Sequence, residues 1–154
     1  MEGCPGSRMM DLRKEQGAAA PVATGSLESQ LAQWPIQLHL INPQAPYYQN
    51  ADVLLAADCV AFALGNFHSA HLKGKSIAIA CPKLDEGQEI YVDKIKAWID
   101  DAKINTLTVM IMQVPCCGGL LALAQEAAQK ATRKVPIKCV VVGLRGDILE
   151  ESWV

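Results

Sequence analysis

The chain has 154 residues, 51% of them hydrophobic and 19% charged, with a formal net charge of −2. That length and apolar fraction suffice for one α/β domain with a full core, and the near-neutral charge excludes the electrostatic footprint of a nucleic-acid binder. No apolar run approaches the ~20 residues of a membrane span, and the opening MEGCPGSRMMDLRK lacks the apolar stretch of a secretory signal, so a cytoplasmic protein is expected.

Residues 1–32 show no sustained periodicity, and GAAAPVATGSLESQ within them reads as a flexible tail or linker. A single α/β domain is expected over residues 33–154. IQLHLI, residues 36–41, alternates, with Ile36, Leu38 and Leu40 on one side and Gln37 and His39 on the other. This predicts a half-exposed edge strand, followed by the Pro-rich loop NPQAPYYQN. VLLAA (53–57), SIAIA (76–80), LTVMIM (107–112) and CVVVGL (139–144) are nearly continuous apolar runs of strand length. Strands buried on both faces of a parallel sheet read that way.

Three helices are predicted between them. Val60, Ala63, Leu64, Phe67 and His71 recur at helical spacing; Tyr91, Ile95, Trp98 and Ala102 mark an amphipathic second helix. Leu120, Leu123, Ala124, Ala127 and Ala131 mark a third, rich in strong helix formers. Regular alternation of strand and helix predicts a three-layer αβα sandwich with right-handed crossovers. Its sheet would be mostly parallel, Rossmann-like or flavodoxin-like, with about five strands.

The chain has six cysteines, too sparse for a disulfide scaffold. In a reducing compartment, thiols at strand ends more often bind metal or react than form bridges. Cys59 closes ADVLLAADC, Cys81 closes SIAIAC, and Cys116 and Cys117 close TLTVMIMQVPCC just before Gly118 and Gly119. These positions share the carboxyl edge of a parallel sheet, where such folds place ligands. Gly118 and Gly119 let the backbone approach a bulky group closely, and free amides there donate to sulfur or to an anion. The bland alternatives are that the thiols pack as small hydrophobes and that the glycines merely make a tight turn. Neither GxGxxG nor a phosphate-binding GxxxxGK motif occurs.

Cysteines on three strand ends would spread over about 10 Å, a span that suits an iron–sulfur cluster better than a single zinc ion, and the chain has no CxxC knuckle. The ligands would be Cys59, Cys81, Cys116 and Cys117, with structural zinc as the alternative cofactor. Asp58 is expected to cap the helix that follows it, Lys83 to be an ordinary surface lysine, and His68 and His71 to lie on a polar helix face. Cys139 belongs to the core. Cys4 is either free or part of another site. The NPQAPYYQN loop is expected to leave the first strand at the same edge and cover the site through Tyr47 and Tyr48.

CPGSRMMDL (4–12), SQLAQWPIQLHLINPQAPYYQNADVLLAADCVAFAL (29–64), LKGKSIAIACPKLD (72–85) and VPCCGGL (114–120) together resemble the C-terminal αβα domain of bacterial and archaeal 4Fe-4S ferredoxin-domain proteins. Family members of the usual form begin with CxxCxxCxxxCP motifs. This chain has none, and only Cys4-Pro5 resembles the end of one. From the placement of Cys59, Cys81, Cys116 and Cys117, and not from the family name, the expected function is a 4Fe-4S cluster-binding protein that passes electrons to a redox protein partner or ferredoxin-type protein, with a homo-oligomer as a further expected partner. The rivals are a thiol redox enzyme using Cys116 and Cys117 with Cys81 as resolving thiol, and a non-catalytic interaction domain with structural zinc or no metal.

Overall fold

The computed structural model describes residues 27–115 and 118–154. Five strands form one sheet: β1 (Asp52–Ala57), β2 (Ser76–Ala80), β3 (Thr106–Met112), β4 (Ile137–Val142) and β5 (Ile148–Trp153). Their spatial order is β2-β1-β3-β4-β5. β1 pairs in parallel with β2 and β3, and β3 with β4, whereas β5 runs antiparallel to β4. Five of the six residues of β1 are buried, because it is central in a parallel sheet whose crossover segments cover both faces. Burial of Val53, Leu54 and Leu55 contributes about 1.5–3 kcal/mol each.

Helices α2 (Gln88–Asp100) and α3 (Gly118–Lys130) pack side by side on the sheet. Their crossovers, β2 to β3 and β3 to β4, run in one direction. The β1-to-β2 connection runs the other way, and right-handed crossing then puts its short helix α1 (Val60–Ala63) and a π-helical segment (Phe67–Leu72) on the opposite face. The result is the expected three-layer arrangement. Tyr91, Val92, Ile95, Trp98 and Ile99 of α2 and Leu120, Leu123, Ala124 and Ala127 of α3 carry the buried stripes.

The strand expected at residues 36–41 does not form. Only Gln37 bridges, beside Ile79, and the chain then turns, with Leu40 N–H and Ile41 N–H both donating to the Gln37 carbonyl. Leu38 and Ile41 are buried while Leu40 is 69% exposed; the apolar spacing is that of a turn, i and i+3, and not of a strand. The Lys94 ammonium fixes the turn by donating to the carbonyls of Leu38, His39 and Ile41 at 2.8–2.9 Å.

What closes the outer edge of β2 is largely one side chain. The Gln33 amide accepts from Ile77 N–H (2.8 Å) and donates to the Ile77 carbonyl (2.9 Å) and to the Tyr48 hydroxyl (2.8 Å). Two residues on, Ile79 N–H donates to Ile36 O and Leu38 N–H to Ile79 O. The fifth strand is instead β5, whose residues are almost all exposed and so carry no apolar alternation. Of the tail expected at residues 1–32, the first 26 lie outside the described residues.

Candidate functional site

The sheet order creates a switch point. From β1 the chain moves outward to β2, then returns across β1 to form β3. In such sheets a crevice opens at the carboxyl ends of the two strands where the order reverses, here β1 and β3. Four junctions reach that edge: Asp58 and Cys59 after β1, Cys81 after β2, residues 113–115 and Gly118 around the start of α3, and the 143–147 turn after β4.

Cys59 is exposed and stands at the N-cap of α1, with helical backbone angles (φ −84°, ψ −13°) and no side-chain cap. Asp58 therefore does not cap the helix as expected: it lies one residue too early. Its carboxylate meets the Gln37 amide in a long 3.5 Å contact. Burial, and then the negative charge of Asp85, push its carboxyl above the usual range, with the Gln37 contact opposing them.

Cys81 is half-buried in a tightly tied loop. Its Sγ accepts the Leu84 N–H at 3.4 Å, its own N–H donates to Asp85 Oδ2 at 2.9 Å, and Asp85 N–H returns to the Cys81 carbonyl at 2.9 Å. The Tyr91 hydroxyl donates to the same Asp85 oxygen. Burial first, and then the hydrogen bond and charge of Asp85, drive that phenol's pKa upward. The Tyr91 ring packs 4.3 Å from the His39 imidazole, whose Nε2 meets the Glu86 carbonyl. Gln88 Nε2 donates to Pro82 O. The sequence reading places Tyr91 on a helix stripe and His39 on the polar side of a strand and gives Asp85 no role; the cue is a carboxylate four residues after the thiol in CPKLD, a spacing that closes a turn.

The start of α3 leans onto this loop. A Cβ at Gly119 would stand 3.2 Å from Pro82 Cβ, whereas one at Gly118 would meet nothing within 4 Å. Because β1 separates β2 from β3, that contact spans the β1 end. It sets Gly119 beside the Cys81 loop, on the edge that carries Cys59. Cys116 and Cys117 themselves lie outside the described residues. Among the described residues, no three His, Cys, Asp or Glu side chains gather closely enough to hold a metal ion.

The remaining expectations divide. Cys139 is buried in β4, and burial pushes its thiol pKa up. Tyr47 and Tyr48 do not cover the site. Their short 3-10 turn (Pro46–Tyr48) precedes β1 and lies at the amino end of the sheet, where Ser76 Oγ donates to Tyr47 O and Tyr48 OH to Ile77 O at 2.8 Å. His68 and His71 sit on the π-helical segment; His68 Nδ1 accepts Gln30 N–H at 3.0 Å.

Residues 45–154 match the family of the Rossmann-like domain. The chain belongs to that family. The match carries no ferredoxin or iron–sulfur designation. An uncharacterized protein of Archaeoglobus fulgidus is 25% identical over 121 residues, covering 77% of this chain and 83% of the relative. No solved structure matches the chain. Among the described residues no helix is long and apolar enough to cross a membrane.

Proposed function

We propose that this Rossmann-like domain binds an iron–sulfur cluster at the carboxyl edge of its sheet and exchanges electrons with a protein partner there. The observation that carries the reading is the Leu84 N–H directed at Cys81 Sγ. Backbone amides aimed at sulfur stabilise thiolate and tune bound clusters, and this one lies 3.4 Å from Sγ. The donor chemistry supports it: Cys59 and Cys81 follow adjacent strands, and Gly119, two residues after Cys117 in sequence, abuts Pro82 of the Cys81 loop. When bound, such a cluster supplies one-electron transfer. The chain's part is to hold it and to present it. Phe62, 93% exposed on α1, and Leu84, 79% exposed beside Cys81, offer apolar contact to a partner at the same edge.

Anaerobic reconstitution with iron and sulfide tests the reading. Wild-type protein should retain about four iron and four sulfide per chain, Cys81→Ser and Cys116→Ser should lose most of that iron, and Cys139→Ser should keep it. Stoichiometric zinc in place of iron would make the site structural. Protein that holds neither metal but turns over a disulfide substrate would instead support thiol chemistry.

A further inference from the structure

We infer that Asp85 is a positioning residue for Cys81: with Tyr91 it forms a latch that holds the Cys81 thiol in its ligand-ready orientation. This rests on the cluster-binding reading only in taking Cys81 as a ligand. Both donors of the latch, Cys81 N–H and Tyr91 O–H, converge on one oxygen, Asp85 Oδ2. The Asp85 N–H closes the turn onto the Cys81 carbonyl. Together they leave the loop no freedom to swing Leu84 N–H away from Sγ, a contact that a loose five-residue turn beginning Cys-Pro would not hold. The anchor is rigid because Tyr91 is fully buried in the second turn of α2 and packs against His39. His39 in turn belongs to the segment that Lys94 fixes through three carbonyls. The orientation of a thiol at the β2 end is thus set from α2 and from a turn outside the sheet.

The geometry makes a sharp demand. Since one oxygen accepts both bonds, an amide oxygen in its place can do the same work, and the charge is dispensable. Two readouts test this. Hydrogen exchange of the Cys81, Leu84 and Asp85 amides, in metal-free protein, should accelerate at least tenfold in Asp85→Ala, stay within about threefold of wild type in Asp85→Asn, and lie between them in Tyr91→Phe, with the sheet amides unchanged. Loss of iron from reconstituted protein to a chelator should rank the variants in the same order.

Equal exchange in Asp85→Ala and wild type would remove the latch. Failure of Asp85→Asn to rescue would replace acceptor geometry with charge and overturn the proposal. If the loop loosens yet iron release and the cluster's spectrum stay unchanged, Asp85 is structural only, and the inference is wrong. Should Asp85→Ala not fold, Tyr91→Phe, which removes one hydroxyl, carries the comparison. Protein that never binds iron sinks the cluster reading while the exchange measurement still decides the latch.

Discussion

At Gly146 the backbone takes φ +83°, and a Cβ would stand 2.6 Å from the Ala63 carbonyl oxygen. Both facts exclude a side chain, because left-handed backbone strains any L-residue and a carbonyl cannot fold aside as a side chain can. This close approach seats the turn between β4 and β5 against the end of α1, bordering the candidate site. Gly146→Ala should cost about 2–4 kcal/mol, read as a lowered urea midpoint with an unchanged slope; wild-type stability would show that the turn shifts freely. Such single-atom constraints were not legible in the sequence. The placing of Cys59 and Cys81 was, because unbroken apolar runs mark strand ends sharply. The ties around Cys81 were not, since its bond from Leu84 exists only once Asp85 and Tyr91 have closed the loop. Asp58 misled for a related reason: a carboxylate before a helical pattern is the usual cap, but α1 begins one residue later than capping requires.

For whole elements, the four parallel strands announced themselves, whereas what finishes the two outer margins did not. A strand in the middle of a parallel sheet must be apolar on both faces; a margin needs only something to satisfy its backbone. At β2 that something is the Gln33 side chain, which no periodicity encodes. Gln33→Ala would deprive Ile77 N–H of its acceptor and its carbonyl of one donor, a loss of about 1–3 kcal/mol, measurable as faster exchange of the β2 amides and a lower denaturation midpoint.

Asp100, the last residue of α2, ties that helix to the loop after α3. Its carboxylate accepts from Thr132 N–H and Oγ1–H (both 3.0 Å) and from Arg133 N–H (3.1 Å). Desolvation pushes this carboxyl up, but the three donors outweigh it and hold the pKa below the ordinary value. A depressed folded pKa means that the stabilisation is complete above the unfolded carboxylate value, about 3.9, and is lost as pH falls through the lower folded value. Asp100→Asn should therefore be less stable than wild type at neutral pH and should lack this part of the acid sensitivity below about pH 4. Parallel stability curves for the two proteins would remove Asp100 from the account.

Across the molecule, three described thiols report on three depths. Cys59 is exposed, Cys81 half-buried and Cys139 6% exposed within β4. With a thiol reagent, Cys59 and Cys81 should react in native protein. Cys139 should react only through global opening, slower by about 10³-fold or more, and its rate should rise with urea as overall stability falls. Labelling of Cys139 at the native rate of Cys59 would mean that β4 opens locally. The fold class was readable at this scale because strand–helix alternation and right-handed crossing leave few arrangements. The candidate site was readable only as an edge, since which junctions lie side by side follows from the strand order, and that order is absent from any local pattern.

The strand order has one further result. With Gln33 and residues 36–38 occupying the β2 border, β5 is the sheet edge that the described residues leave open to another chain. Two copies joined there would have no unpaired margin left, so association would halt at a pair instead of running on as a ribbon. Antiparallel self-pairing centred on β5 would also set Glu150 against Glu151 of the second copy, a like-charge opposition that discourages even that first step.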